Sequence, residues 1–224
     1  MGLWPLHPVN MSNIIQLPDI LEIVMDWLRY DTLTLRTALL VNKVWFAEAI
    51  RVLWKKPPVA ALSALSSISY DRRQFYADHV RELSFDGTNE GSENSKFYDV
   101  HFRRLRCIRV KGNCFCHIPR DKENLSLYIG QYLQPNLEEF VLSDVDTELA
   151  EDIFHLLETR CPGLRTLRMR WFSTGFPSTR LLKFLHTCKS LKVIHLVVYP
   201  GGAKEHIDYR LLACLAHYYG LRQL

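Results

Sequence analysis

The side chains of this chain that could do chemistry fall into two sets. One is the run Cys114-Phe115-Cys116-His117, which places three zinc-type ligands within four residues. A closed zinc site takes four ligands, and no second pair follows at matching spacing, so the run is read without a metal and no cofactor is expected. The other set is basic: Arg109 with Lys111, and Arg168 with Arg170, each pair separated by one residue. In an extended segment, residues two apart point to the same side, and a guanidinium fork matches carboxylate or phosphate oxygens. The chemistry expected of these four is therefore recognition of an acidic or phosphorylated segment. Bond-making has little support. The chain lacks Gly-x-Ser-x-Gly, a phosphate loop, His-Glu-x-x-His and a Gly-rich dinucleotide turn, and His155, His186 and His206 are scattered along helical segments.

The elements that must position the basic pairs repeat along the chain. Six stretches align: VRELSF from Val80, LRCIRV from Leu105, LEEFVL from Leu137, LRTLRM from Leu164, LKVIHL from Leu191 and LRQL from Leu221. Each is apolar at its first and fourth positions, and all but the truncated last are apolar at the sixth. Their starts are 25, 32, 27, 27 and 30 residues apart, within or slightly beyond the period of leucine-rich repeats. Strands are expected near 80–85, 105–110, 137–142, 164–169, 191–196 and 221–224. Helices are expected over 147–160, 178–188 and 206–219, with a weaker one over 121–133. Cys161 and Cys188 each stand three residues before a repeat's first leucine, as buried small side chains. Strand, turn and helix in repetition predict a curved solenoid with a parallel sheet on its concave side and helices outside. Leu137, Leu142, Leu164, Leu167, Leu191 and Leu196 belong to its core. Ser84 and Asp86, Arg109 and Lys111, Val141 and Ser143, Arg168 and Arg170, and His195 and Val197 are expected to point to the concave face. The polar run at 86–95 is a loop, and the last repeat stops at Leu224 in mid-strand with no cap, as in a truncated form or a chain that continues.

Ahead of the repeats, residues 17 to 54 carry three short helical patterns. Pro18 suits a first turn, Asp31 and Thr32 cap a second helix bearing Leu35, Ala38 and Leu39, and Asn42 caps a third. The prolines of KKPP at 55–58 close the unit. Leu17, Ile20, Leu21, Val24 and Leu28 recur at helical spacing. Val24 and Leu28 are expected inside, with Leu39, Val41 and Trp45. Ile23, Trp27, Phe46, Ile50 and Trp54 widen the apolar surface beyond one face, leaving one side for a partner.

This front segment resembles the F-box: LPDILEIVMDWL opens with Leu-Pro and an Ile-Leu helix, LTLRTALLVNKVW contains Val-x-Lys-x-Trp, and Leu53-Trp54 closes it. Asn42 stands where the F-box commonly has Cys, and the stretch between the first two helices is compact. With the repeats behind it, the chain resembles the fungal-type family of F-box proteins with leucine-rich repeats. The resemblance implies an α/β chain with a tail at 1–15, an F-box at 16–56 and leucine-rich repeats over 57–224. It further implies docking of Leu17, Pro18, Ile20, Leu21 and Trp54 on a Skp-type adaptor, and through it a cullin. The chain would then be the non-catalytic substrate-recognition subunit of an SCF-type ubiquitin ligase, with a repeat scaffold outside ubiquitin transfer as the alternative. A protein substrate would meet Arg109, Lys111, Arg168 and Arg170.

Composition is compatible with this expectation. The 224 residues are 48% hydrophobic and 23% charged, with a formal net charge of +4 that does not advertise nucleic acid. The third helix, VWFAEAIRVLW, carries Glu48 and apolar residues where a DNA-reading helix needs polar ones. No basic-then-apolar leader opens the chain and no run approaches membrane-spanning length. Neither nucleic acid nor membrane is an expected partner, and a cytoplasmic or nuclear location is expected.

Overall fold

In the computed structural model, which describes residues 18–85, 97, 99–111, 129–143, 147–171, 177–198 and 209–218, the first helix, α1, spans Pro18–Trp27. A short 3-10 turn, Leu28–Tyr30, follows, and Asp31 then starts α2, Thr32–Ala38. The Asp31 carboxylate accepts from the Thr34 N–H at 3.0 Å and the Thr34 hydroxyl at 2.6 Å, satisfying donors that a helix start leaves open. Asn42 does the same for α3, Lys43–Leu53, its side-chain oxygen accepting from the N–H groups of Val44 and Trp45. Both caps stand where the sequence places them.

The chain divides into two compact units, Met1–Lys55 and Lys56–Leu224. In the first, Leu21, Met25, Leu35, Ala38, Ala49 and Val52 form the core, with Leu28, Leu39, Trp45 and Leu53 packed against it. Arg51 of α3 ties the layers by pairing with Glu22 of α1 at 3.3 Å and with Glu48 at 2.9 Å. Three expectations for this unit are corrected. Met25, not Val24, is the fully buried residue of α1's middle turn, because Leu21, Met25 and Leu28 share one side of the helix. Val41 lies exposed in the turn before α3, and Ile50 is buried rather than outward.

The second unit begins with two helices that the sequence reading does not assign, α4 (Val59–Leu65) and α5 (Tyr70–Ala77). The strands follow: β1 (Glu82–Phe85), β2 (Cys107–Lys111), β3 (Glu139–Ser143), β4 (Thr166–Trp171) and β5 (Val193–Val198). They form one all-parallel sheet in the order β1-β2-β3-β4-β5. Helices α6 (Thr147–Arg160), α7 (Ser178–Thr187) and α8 (Tyr209–Ala216) occupy the three strongest helical patterns. The expected sixth strand at 221–224, the tail at 1–15, the loop at 86–95, the Cys114–His117 run and residues 121–128 lie outside the described residues. Of the expected helix over 121–133, the described part, 129–133, is not helical.

Each strand starts two residues later than the apolar pattern suggests, and at the first four strands the reason is the same. The first leucine-type residue points inward but closes a turn: the N–H groups of Val80, Leu105, Leu137 and Leu164 donate to the carbonyls of Ala77, Phe102, Gln134 and Cys161, three residues back. The next carbonyl then accepts from two successive N–H groups of the following repeat. Arg81 O takes Arg106 and Cys107, Arg106 O takes Glu138 and Glu139, Glu138 O takes Arg165 and Thr166, and Arg165 O takes Lys192 and Val193. Regular pairing starts only after that double acceptance. From there the rungs are in register: Leu83, Ile108, Phe140, Leu167 and Ile194 form one buried row, and Phe85, Val110, Leu142, Met169 and Leu196 the next, with only Leu196, on edge strand β5, partly open.

Repeats are stapled side to side. Phe154 of α6 meets Phe184 of α7 at a centroid distance of 5.3 Å, and Arg180 pairs with Glu158 at 2.7 Å, with side chains only 15% and 10% exposed. Ser190 donates to the carbonyls of Pro162 and Leu164, and a Cβ on Gly163 would stand 3.0 Å from the Pro135 carbonyl oxygen. The backbones of successive repeats therefore approach closely at this turn. Cys161 and Cys188 are buried beside it as free thiols, and burial pushes the Cys161 thiol up to about 12. They fill space.

Candidate functional site

Two surfaces stand out, one on each unit. On the first, α1 has two unlike sides. Ile20, Ile23 and Trp27 follow a three-then-four spacing that puts them along one stripe, turned away from the Leu21 and Met25 side. Ile23 is 55% exposed and Trp27 82%. Tyr30, Leu33 and Leu40 are also largely exposed. Burying such side chains is worth about 1.5–3 kcal/mol each, so a small unit that leaves several in water holds surface that a partner can use.

The expected docking residues divide on this geometry. Ile20 is on the outward stripe. Leu21 is 1% exposed, inside the core of its own unit, and this corrects its assignment to the adaptor edge: one step along a helix turns a side chain by about 100°, from the stripe into the core. Pro18 begins α1, and Leu17 lies outside the described residues. Trp54 is partly buried at the end of α3, its N–H donating to the Ile50 carbonyl at 2.9 Å. Ile23 and Trp27, foreseen as extra apolar surface, complete the stripe.

The second surface is the face of the sheet opposite the buried rows. Its rungs read Glu82, Cys107, Glu139, Thr166, Val193; then Ser84, Arg109, Val141, Arg168, His195; then Lys111, Ser143, Arg170, Val197. Asp86 lies outside the described residues. All four basic residues named from the sequence are thus brought to one face, in two neighbouring rungs.

The two carboxylates of the first rung are features of this face that the sequence reading does not name. Glu82 accepts from Arg109 at 2.6 Å and from Lys56 at 2.7 Å, and Glu139 pairs with Arg168 at 2.9 Å. Burial pushes the Glu82 carboxyl up, but the hydrogen bonds and charges of Lys56 and Arg109 outweigh it and hold the group below its ordinary value. The Glu82 bond likewise raises Arg109. The signal was available: the third position of each repeat flanks the buried fourth on the same face as the fifth.

Reactivity on this face is low. Cys107 is nearly closed off, and burial, with Glu139 beside it, pushes its thiol up to about 12, so it stays protonated. His195 stands on β5, three strands from β2, and at about 4.8 Å per strand the two are roughly 14 Å apart, too far for a nucleophile–base pair. Among the described residues no three His, Cys, Asp or Glu side chains cluster to hold a metal, and no helix is long and apolar enough to cross a membrane. What the face presents is charge and hydrogen-bonding capacity.

No protein-family model matches the chain, and neither the curated proteins nor the solved structures compared with it give a match.

Proposed function

We propose that this chain is the substrate-recognition subunit of an SCF-type ubiquitin ligase, with the first unit as the F-box that docks a Skp-type adaptor and the repeats as the holder of a protein substrate. The observation that carries the reading is the outward stripe of Ile20, Ile23 and Trp27 over a core that is already complete without them. Large apolar and aromatic side chains are the types that supply energy at buried interface centres. The order of the F-box motifs in residues 17–54, and a parallel sheet of one strand per repeat behind them, support it. A cullin would join through the adaptor, and the chain's own contribution would be proximity, raising the local concentration of substrate at transfer machinery held by other subunits. Such assembly would take place in the cytoplasm or nucleus.

Co-purification with a Skp-type adaptor tests this. The wild-type chain is expected to bind, and the triple variant Ile20→Ala, Ile23→Ala, Trp27→Ala to lose about a hundredfold in affinity, as for removal of central interface anchors. Absence of wild-type binding would leave a repeat scaffold outside ubiquitin transfer. Equal binding by both proteins would remove the α1 stripe from the interface.

A further inference from the structure

The helix layer has a hollow at one joint, and the repeat register explains it. Counted back from the leading leucines Leu164, Leu191 and Leu221, the residue three before is Cys161, Cys188 and then Tyr218, and the residue seven before is Leu157, Phe184 and then Cys214. Leu157 and Phe184 are fully buried, while Cys214 stays partly open. A small side chain in the place of a large one leaves space that its neighbours close only in part. That space is a cavity of about 220 Å³ where α7 and the turn after it meet α8, lined by Leu185, His186, Lys189, Cys214, His217 and Tyr218. Its floor is fixed. Leu185 is buried, and the Tyr218 hydroxyl donates to the Cys188 carbonyl, with burial pushing its phenol up to about 12. The rim is basic, since His186, Lys189 and His217 are exposed. The side chains of His186 and Lys189 enter no hydrogen bond or ion pair among the described residues. His217 donates from Nδ1 to the Ala213 carbonyl at 2.8 Å, which leaves Nε2 for a ligand. The wider charge has the same sign. Residues 178–224 hold seven Lys and Arg against two carboxylates, and the 177 residues before them hold 21 against 22, so the net charge of +4 comes entirely from this last part. Within 178–198 and 209–218 there is no Asp or Glu, and Arg180, the one Arg of α7, is already paired with Glu158.

We infer that this hollow is a binding site for a small amphipathic monocarboxylate, its carboxylate held at the rim by Lys189 with His186 and His217, and its hydrocarbon part lying on Leu185, Cys214 and the Tyr218 ring. Carboxylate oxygens take charge-assisted hydrogen bonds from ammonium and imidazole N–H groups. Size sets the rest. A cavity of about 150 Å³ holds one benzene ring and a drug-sized ligand needs about 300 Å³ or more, so a space between the two suits a chain or ring of about six carbons. Inorganic phosphate would match the cations but leave the apolar floor in water. A metal ion is a poorer match, since no three His, Cys, Asp or Glu side chains cluster among the described residues. The site uses no residue of the open sheet face or of the α1 stripe, so the inference stands apart from the proposed function.

The test follows amide shifts of the isotope-labelled full chain during titration with four probes: hexanoate, hexanol, hexylammonium and inorganic phosphate. Hexanoate is expected to saturate with a dissociation constant of roughly 1 mM, within reach of a ligand of this size, and to bind more weakly as salt is raised. Hexanol and phosphate should each bind at least about tenfold more weakly, and hexylammonium not at all. Lys189→Ala should weaken hexanoate about tenfold, as for loss of a charge-assisted hydrogen bond. Cys214→Leu restores the side chain that Leu157 supplies at this position in α6, fills the hollow and should abolish binding. Lys189 is exposed, so its variant keeps the fold whether or not the filled one does. No saturable shifts below about 20 mM hexanoate, equal affinity for hexanol, tighter binding of phosphate, indifference to Lys189→Ala, or full binding by a folded Cys214→Leu would each overturn the inference.

Discussion

The outward stripe of α1 and the open face of the sheet present opposite kinds of surface for one physical reason. In the first, a helix of ten residues has to bury one side, and what it shows on the other is decided freely: here it is Ile20, Ile23 and Trp27. In the second, a parallel sheet buries alternate positions, and what it shows on the open face is a ladder of Arg, Lys and Glu. Apolar surface gives affinity in proportion to area and little direction, whereas charge and hydrogen bonds give selection. A constant partner suits the first, and a conditional one suits the second.

The sharpest way to break that contrast lies on α1 itself. Leu21→Ala should destabilise the first unit by about 3 kcal/mol, the usual cost of a leucine removed from a filled core. Ile23→Ala, two residues on, should change stability by no more than about 0.5 kcal/mol. Adaptor binding should respond to Ile23→Ala in a still-folded protein. Urea unfolding followed by tryptophan fluorescence measures both variants, and equal stability losses would mean that the stripe is core after all.

The second unit has its own strong test, in the helix layer rather than on the open face. Arg180 and Glu158 are mostly buried, and Glu158 Oε1 has no hydrogen-bond partner, so Arg180→Ala strands a carboxylate in a poorly solvated place. The expected loss is about 2 kcal/mol, below the roughly 3–5 of a fully buried pair because some solvent reaches these groups. Arg168→Ala, on the open face, should cost far less. Thermal melts of the two variants would show whether the ion pairs of helix layer and sheet differ as their exposure implies.

A smaller effect should appear with pH. Glu82 is held below its ordinary value in the folded protein, so the unfolded chain takes up the proton first as pH falls. The stability it contributes is present above the ordinary glutamate value, about 4.3, and is lost as pH falls through the lower folded-state value. Melting temperatures of the wild type and Glu82→Gln from pH 6 to pH 3 should differ at the upper end and converge at the lower. A constant gap would assign the effect of the substitution to packing.

Much of this was legible in the residues, and what was not has identifiable causes. The apolar fourth and sixth positions predicted the buried rows, because a strand's period of two is simple and the repeats show it five times. The leading leucines, though buried as expected, fell outside the strands, because hydrogen bonds that close a turn leave no trace in hydropathy. Helices α4 and α5 were missed where short patterns gave no repeat to compare. Leu21 lies inside although Ile20 lies outside, because residues adjacent in a motif are turned about 100° from each other on a helix. Glu82 and Glu139 share the outward face because a strand's third position lies on the same side as its fifth, a relation that hydropathy does not mark. Which cations stay open depends on partners at the start of the strands, and only the register joins the two.

That dependence gives the finest test of the comparison. Glu139→Gln keeps size and hydrogen-bonding capacity but releases Arg168 from its 2.9 Å ion pair. Because Arg168 is half exposed, the change in stability should stay within about 0.5 kcal/mol, as for surface pairs in general. Affinity for an acidic peptide pool should nevertheless rise, about threefold, since a third cation becomes free one rung from Lys111 and Arg170 and an opposing charge is gone. Anisotropy titrations at low and moderate salt would measure both the gain and its screening. A face that merely keeps the repeats soluble would show the small stability change and no gain. If the gain appears without a stability change, Glu139 acts by holding a cation in reserve, and the carboxylates help set how much charge a ligand must carry.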